Sequence, residues 1–319
     1  MSTEAPGSAH IIVVGSANQD YIVRVTAPPA PGETVLAQDL LRQPGGKGAN
    51  QAVAAARLNG DVSFVASVGD DPDGTDLLRG LRSEGVDTSE VEIIDRGRTG
   101  LALVSVYDSG ENAITVVPGT NFALTASRVD RTVRRLAAEA ERAIVVVQAE
   151  LRPQIIATAL RAGVEAGARC VLNLAPYQRL PDDLLAVCDP LVLNESEATA
   201  LVGRPIADPE QAAAAVRTLL GTARSVVITL GAQGACWADS GGEGHLPATP
   251  PDRVVDTTGA GDAFVGALAA TLARGGGLGE ATAIGVAAGT FAVRTPGAQS
   301  SYPTLADLTT ERAVTGPIS

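Results

Sequence analysis

Short apolar segments alternate with helix-like segments through most of the second half of this 319-residue chain. The apolar runs that predict strands are residues 143–148, 170–174, 191–193, 226–230 and 234–238. The segments between them that predict helices are residues 154–166, 182–187 and 208–220. Repeated strand–helix units form a mostly parallel sheet that is covered by helices on both faces. The pattern therefore predicts a three-layer α/β fold.

Two other segments alternate in the way that is typical of strands with one face exposed to solvent. Residues 16–42, with an exposed strand expected at 33–42, and residues 99–117 alternate apolar and polar side chains. The turn-like stretch 108–111 divides the second segment into a hairpin. We expect residues 17–43 and 99–117 to form a small antiparallel β lid. The core would then comprise residues 10–16, 44–98 and 118–319, and residues 1–9 would be a flexible tail.

Composition excludes several classes of protein. The chain carries 24 basic and 36 acidic residues, a net charge of −12, and shows no basic stripe. This argues against nucleic acid as a partner and against an anionic membrane surface. Three distant cysteines and two histidines are too few for a zinc cluster or a disulfide framework. With no apolar run of 18 residues and no signal-like start, we expect a cytoplasmic protein.

The stretch Asp256-Thr-Thr-Gly-Ala-Gly-Asp262 follows an extended segment and opens an alanine-rich helix. Glycine accepts positive φ and exposes backbone amides, and the first amides of a helix suit an anion. Asp262 at this point would either cap the helix or accept a proton from a hydroxyl beside the anion. Phe264 occupies the position of the third glycine of a dinucleotide fingerprint, which disfavours that reading.

A second glycine-rich stretch, GGKGAN at residues 45–50, opens the first predicted helix, 51–58. Leu41 and Gly48 stand where a Walker loop needs glycine and Ser or Thr, so this is not a Walker loop. Lys47 offers charge, and Asn50 offers both a donor and an acceptor, the mixture that a polyol requires. A plain glycine-rich helix start explains the stretch equally well.

Further polar groups follow predicted strands, where open α/β sheets bind ligands. Asn18 and Asp20 follow the first strand, Glu150 follows 143–148, and Glu197 follows 191–193, where it could hold hydrated Mg²⁺. After strand 226–230, glycines would let a nucleotide approach the backbone. An Asx turn and ordinary surface acids remain alternatives for these clusters.

On these motifs the chain resembles the ribokinase-like (PfkB) family of carbohydrate kinases, from about residue 11 to about residue 303. The two glycine-rich stretches, 45–56 and 256–262, are the most specific matches. Supporting matches lie at 15–20, 31–34, 69–71, 194–197 and 297–299. The resemblance implies ATP-dependent phosphorylation of a sugar hydroxyl, which for ribose is O5.

The resemblance also implies a role for each matching position. Asp262 would be the general base, and the amides of Gly259, Ala260 and Gly261 would hold the transferring phosphoryl group. The sugar-contacting positions would be Asn18, Asp20, Gly46, Lys47, Asn50 and Glu150. The nucleotide side would comprise Asn194, Thr229, Gly231, Gly234 and Gly261, with Glu197 linked to Mg²⁺ and phosphate. A monovalent cation, usually K⁺, would lie at Asp256, Thr258, Ala292, Gly297 and Ser301.

Several alternatives stay open at this point. Thr295-Pro296 stands where family members often carry a basic pair, so the loop beside the K⁺ position departs from the pattern. The sugar could be ribose, 2-deoxyribose or fructose, or the substrate could be a nucleoside, although 3% aromatic residues leave few rings for a base. A catalytically silent sugar-binding regulator is the non-enzyme alternative. The apolar lid also predicts a homodimer, as the resemblance does.

Overall fold

A computed structural model describes residues 9–109 and 111–315. Except for Ala9, the tail expected at residues 1–9 lies outside the described residues. The strands are β1 (His10–Val14), β2 (Asn18–Val25), β3 (Asp39–Gly45), β4 (Val62–Val65), β5 (Ser67–Gly69), β6 (Glu92–Ile94), β7 (Gly100–Tyr107), β8 (Asn112–Val117), β9 (Ala143–Gln148), β10 (Arg169–Asn173), β11 (Cys188–Asn194), β12 (Val226–Thr229), β13 (Ala235–Asp239) and β14 (Gly242–Leu246). The helices are α1 (Lys47–Arg57), α2 (Pro72–Ser83), α3 (Ala126–Glu139), α4 (Pro153–Glu165), α5 (Asp182–Leu185), α6 (Glu195–Val202), α7 (Pro209–Leu219), α8 (Ala260–Ala273), α9 (Leu278–Ala292) and α10 (Leu305–Thr315).

The main sheet has eight strands in the order β14-β13-β12-β11-β10-β9-β1-β4. The six strands from β12 to β4 are parallel, and β13 and β14 add an antiparallel edge. Ile11 and Val13 of β1 pack in one apolar core with α1, α2, α8 and α9, whereas Ile12 and Val14 pack in a second core with α3, α4 and α7. Because successive strand residues face opposite sides, the sheet is buried on both faces, as the alternation predicted.

A second sheet has the order β3-β2-β7-β8. The pairs β2–β3 and β7–β8 are antiparallel, and the central pair β2–β7 is parallel. Both long segments that were expected to form a small separate layer contribute its strands. The sheet comprises residues 18–45 and 100–117, close to the boundaries predicted for the lid.

Several elements differ from the sequence-based expectations, and β6, β14 and α10 are among those that were not predicted. The strand expected at 33–42 begins at Asp39, because Glu33 closes a turn: its amide donates to the Ala30 carbonyl and its carboxylate accepts from the Ala30 amide. The helix expected at 76–84 begins earlier, at Pro72, since Asp71 caps it. Helix α3 lies outside every predicted element, although Val129 and Val133 have the spacing of an amphipathic helix.

Within residues 9–109 and 111–315, every helix is too short or too polar to cross a bilayer.

Candidate active site

Two neighbouring cavities lie beyond the carboxyl ends of the parallel strands. The larger, of about 570 Å³, lies between the core and the second sheet. The smaller, of about 80 Å³, lies beside α6 and α8. Lys47 and Asp262 line both cavities. A group bound in one cavity therefore meets a group bound in the other at these two side chains.

The stretch at residues 256–262 forms the junction that was predicted. Gly259 adopts the left-handed conformation (φ 77°) immediately before α8, and Ala260 is the first helical residue. A Cβ at Gly259 would collide with Tyr302 and Ala298, whereas a Cβ at Gly261 would meet open space. Gly259 lines the larger cavity and Gly261 the smaller one. The positive end of the α8 dipole thus lies at the boundary between them.

Asp262 lies in the first turn of α8 and is only 6% exposed. Its Oδ2 accepts a hydrogen bond from Asn50 Nδ2 at 3.0 Å, and its Oδ1 accepts one from Gln51 Nε2 at 2.9 Å. The side chain does not cap its own helix, which removes the alternative that the sequence left open. Each oxygen keeps a lone pair for a ligand, because a carboxylate oxygen accepts two hydrogen bonds.

Lys47 is the cationic side chain at the centre of the site. It begins α1, and Gly46 precedes it with φ 86°. The negative charge of Asp262 raises the pKa of Lys47, with further contributions from Glu150 and Glu197, against the opposing effect of burial. The ammonium therefore stays charged at neutral pH and faces both cavities.

Polar groups of the second sheet and of α1 line the larger cavity. Asn18 is held through Oδ1 by Asn121 Nδ2 at 2.7 Å. Glu150 Oε2 accepts from Ser16 Oγ at 2.5 Å and from the Lys47 amide at 3.0 Å. The residues predicted to contact a sugar, which all line this cavity, are Asn18, Asp20, Gly46, Lys47, Asn50 and Glu150.

Asp20 is the most perturbed acid of the site. Burial, followed by the charges of Glu150 and Asp262, raises its pKa from 3.8 to about 7. Its Oδ1 is buried and has no hydrogen-bond partner within the described chain. A buried unpaired oxygen is costly, so this atom is suited to a ligand hydroxyl.

The smaller cavity is lined by most of the residues predicted for the nucleotide side. Asn194 and Glu197 form a capping box at the start of α6: Glu197 N donates to Asn194 Oδ1 at 2.9 Å, and Asn194 N donates to Glu197 Oε2 at 2.8 Å. Burial raises the pKa of Glu197, partly offset by the Asn194 amide and Lys47. Thr229 and Gly261 complete the lining on this side. The volume suits phosphate-sized groups and is too small for a whole nucleotide.

Two predicted nucleotide positions lie outside both cavities. Gly231 begins a short 3₁₀ turn after β12, within reach of the Glu195 side chain. Gly234 has φ 88°, and a Cβ there would overlap the Leu246 carbonyl of β14. Packing against β14 accounts for the glycine at 234 without a ligand.

Of the five positions predicted for a monovalent cation, Asp256, Thr258 and Gly297 line the larger cavity, and Ala292 and Ser301 line neither cavity. Asp256 Oδ1 accepts from Thr258 N at 2.9 Å, and Oδ2 accepts from Gly297 N at 2.8 Å, so the carboxylate ties two loops together. Ala292 ends α9, and Ser301 Oγ donates to the Ala298 carbonyl at 2.7 Å. Burial acts to raise the pKa of Asp256, but the hydrogen bonds from Thr258 and Gly297 outweigh it and lower the pKa.

Sequence reasoning missed a set of buried amide side chains beneath Asp262. They connect to it directly or through one neighbour, and all are less than 10% exposed: Gln51, Gln148, Asn173 and Gln299. Their only sequence signal is that polar residues occupy positions within or beside apolar strands and helices.

The chain is similar to known carbohydrate kinases over nearly its whole length. The family model described as pfkB family carbohydrate kinase matches residues 8–305. Curated relatives include a ribokinase of Haemophilus influenzae, 35% identical over 92% of this chain and 95% of the relative, and a deoxyribokinase of Salmonella typhimurium, 35% identical over 92% and 96%. A bifunctional ribokinase/ribose-5-phosphate isomerase A of Fructilactobacillus sanfranciscensis is 36% identical, and the match spans 54% of its length.

Among solved structures, Arabidopsis thaliana ribokinase complexed with ribose and ATP superposes with a TM-score of 0.87. It is 31% identical, and the match covers 95% of this chain and 98% of that one. The family match, these identities and the two adjoining cavities agree. The chain therefore belongs to the pfkB family of carbohydrate kinases and is an ATP-dependent sugar kinase.

Proposed function

We propose that this kinase transfers the γ-phosphoryl group of ATP to O5 of D-ribose, giving ribose 5-phosphate and ADP. The observation that carries the proposal is that Lys47 and Asp262 line both cavities. A sugar in the larger cavity and a phosphate chain in the smaller one would place donor and acceptor on either side of this pair. Phosphoryl transfer depends mainly on such positioning and on charge stabilisation.

The lining of the larger cavity favours a polyol substrate. Asn18 and Asp20 lie on one face of β2, and Glu150 faces them from the end of β9. Among the described residues that line this cavity there is no aromatic side chain, so a nucleobase would have no ring to stack on. This makes a nucleoside a poorer candidate than a sugar.

Ribose is favoured over 2-deoxyribose by the unpaired oxygen of Asp20. The similarity alone does not choose between them, because relatives named ribokinase and deoxyribokinase are equally close. A site built to bind a hydroxyl rejects the analogue that lacks it, since its polar group is then left unpaired. We therefore expect the enzyme to prefer the sugar that offers more hydroxyl groups to Asn18 and Asp20.

The chain's own residues supply the chemistry at the boundary. Asp262 accepts the proton of the sugar hydroxyl as it attacks, and its anchored carboxylate holds that proton at one oxygen. Lys47 and the amides of Gly259, Ala260 and Gly261 stabilise the charge on the transferring group. Mg²⁺ bound with ATP would supply charge neutralisation on the phosphates, and Glu197, which lines the smaller cavity, would hold it through water.

A monovalent cation would fit beside residues 256–258 and 297–301, two loops that the hydrogen bonds of Asp256 connect. Both oxygens of Asp256 already accept amide hydrogen bonds, so backbone carbonyls would be the main ligands. We propose K⁺ as the activator. Activity in K⁺ but not in Na⁺ at equal ionic strength would support this, and equal activity in both would contradict it.

We also propose that the second sheet forms a homodimer interface and closes over the sugar as a lid. The sheet exposes large apolar side chains: Leu40 and Leu103, which line neither cavity, are 56% and 50% exposed, and Ile114 and Val116, which line the larger cavity, are 58% and 46% exposed. Such a surface is normally covered. Light scattering at micromolar concentration should give the mass of a dimer, and Leu103→Asp, at a position that lines neither cavity, should give a monomer. A monomeric parent chain would contradict the interface.

The direct test is sugar-dependent release of ADP with ribose, 2-deoxyribose, fructose and adenosine. We expect the highest kcat/KM with ribose. Asp262→Asn keeps the shape of the base and should lower kcat by about 10²–10⁴-fold. A folded Asp262→Asn enzyme with near-normal turnover would remove Asp262 as the base, and binding of ribose without turnover by the parent chain would support the silent-regulator alternative.

A further inference from the structure

Gln51 lies in the second turn of α1, directly behind the reacting carboxylate. It is 1% exposed and lines neither cavity. Its Nε2 donates to Asp262 Oδ1 at 2.9 Å and to Asn173 Oδ1 at 3.0 Å. Its Oε1 accepts from Gln148 Nε2 at 2.8 Å. The side chain therefore contacts the base without reaching the volume in which a substrate would lie.

These contacts fix the orientation of the Gln51 amide. A carboxylate can only accept, so the NH₂ group must face Asp262. Both N–H groups of Gln51 are then used, one on Asp262 and one on Asn173. The carbonyl oxygen is held on the opposite side by Gln148, which is 0% exposed. A flipped amide would lose all three hydrogen bonds, so a single orientation is available.

The other oxygen of Asp262 is held by a second chain of amides. Asn50 Nδ2 donates to Oδ2, and Gln299 Nε2 donates to Asn50 Oδ1 at 3.0 Å. Each oxygen of the carboxylate therefore accepts a hydrogen bond from a different amide side chain. It cannot rotate about its χ2 angle without breaking one of these hydrogen bonds, and its remaining lone pairs point away from α1.

We infer that Gln51 is a positioning residue for the phosphoryl-transfer reaction, which it serves by fixing the carboxylate plane of Asp262. The inference rests on the proposed role of Asp262 as the base. Gln51 orients the carboxylate through its hydrogen bond to Oδ1 and leaves the sugar and nucleotide contacts to other residues. Loss of this contact should therefore change kcat and its pH dependence more than either KM.

Two substitutions separate positioning from bulk stability. Gln51→Met keeps the volume and removes all three hydrogen bonds, and misplacing the base should lower kcat by about 10–100-fold. Gln51→Glu sets a second carboxylate against Asp262. Because like charges disfavour ionisation of the pair, the acidic limb of the kcat–pH profile should move to higher pH by about one unit or more. KM for ATP and for the sugar should stay within about threefold in both.

Thr282→Val serves as the matched control for a lost buried hydrogen bond. Thr282 is 0% exposed, and its Oγ1 donates to Leu278 O within α9, away from both cavities. It should lower the Tm without changing kcat or the pH profile. If the Gln51 variants fold too poorly to assay, Gln148→Met removes the support of the Gln51 carbonyl without touching Asp262, and kcat should fall by about 3–10-fold at unchanged KM.

The outcomes distinguish this inference from the proposed function. If Asp262→Asn abolishes turnover while both Gln51 variants keep parental kcat and pH profile, Gln51 has no positioning role and Asp262 remains the base. If Asp262→Asn keeps turnover, the base is misassigned. A Gln51→Glu profile displaced to higher pH, together with a lower kcat for Gln51→Met at unchanged KM, supports the positioning role.

Discussion

The ionised carboxylate of Asp20 should lower the free energy of unfolding of the unliganded enzyme at neutral and alkaline pH. Its pKa is raised from 3.8 to about 7, first by burial and then by the charges of Glu150 and Asp262. The native state therefore holds the carboxyl proton more tightly than the unfolded chain does. For an acid with a raised native pKa, stability falls as the pH rises from about 4 to about 7, and the full cost applies above that window.

The expected size follows from the two pKa values. A rise from 3.8 to about 7 corresponds to about 4 kcal/mol at most when the group is fully ionised. At pH 5 under half of this cost is present, because the native carboxyl is still largely protonated. Asp20→Asn removes the charge and keeps the shape. We expect it to raise the Tm by up to about 6 °C at pH 8 and by about 2 °C at pH 5, given the unfolding entropy of a chain of this length.

The assay is thermal unfolding of the ligand-free enzyme at both pH values, together with kinetics. Asp95→Asn is the control, because the Asp95 side chain is 86% exposed and lies outside the site. Asp20→Asn should also raise KM for ribose by about 10-fold, since a hydrogen bond to a charged group is lost. A Tm that falls at pH 8, or that rises equally at both pH values, would refute this account of Asp20.

Three further substitutions test the other assignments. Gly234→Ala should lower the free energy of unfolding by about 2–4 kcal/mol, because φ at this position is 88° and the added Cβ would meet the Leu246 carbonyl. KM for ATP should stay unchanged. A raised KM at the parental Tm would instead indicate that Gly234 contacts the nucleotide. Asp256→Asn should cost about 1–3 kcal/mol at pH 7, measured by urea unfolding. Because its folded pKa is lowered, this difference should narrow as the pH falls below 3.8, and a loss that is constant with pH would contradict it. Glu197→Gln preserves the shape of the capping box and should raise KM for MgATP by about 10-fold, with KM for the sugar unchanged. An equal rise in both KM values would show that the substitution disturbs the whole site.

Much of the fold was predictable because the hydrophobic pattern of most strands and helices lies within a single short segment of the sequence. Strands such as β9 and β12 are fully or almost fully apolar, and Asp208-Pro209 marks the start of α7 as a capped helix. Helix α3 was missed even though its buried face has helical spacing, because it is interrupted by many charged residues. The pairing of β2 with β7 joins segments about 80 residues apart, and no local pattern reveals their parallel register.

The site was predictable only where residues lie in glycine-rich or strand-terminal motifs. Those motifs led to Asp262, Lys47 and Asp20, and the cavities place all three together. The supporting amides could not be found in this way, because Gln148 is 97 positions from Gln51 along the chain and each sits in an unremarkable segment. Gly234 shows a different difficulty, because a glycine required by a positive φ and by packing on β14 has the same sequence signature as a ligand-binding glycine.

The charges that line the two cavities explain why the acidic side chains, Lys47 and the start of α8 depend on one another. Among the described residues that line the two cavities there are five carboxylates, Asp20, Glu150, Glu197, Asp256 and Asp262, and a single ammonium, that of Lys47. Burial and repulsion from neighbouring carboxylates raise the pKa of Asp20 and Glu197. The attraction of Asp262, Glu150 and Glu197 raises the pKa of Lys47, against the opposing effect of burial. An anionic phosphate chain would enter such a site poorly with Lys47 alone, because its charge is already shared among the acids. The amides at the start of α8 and a divalent cation bound with the nucleotide would supply the missing positive charge. We therefore expect the enzyme to bind MgATP more tightly than free ATP.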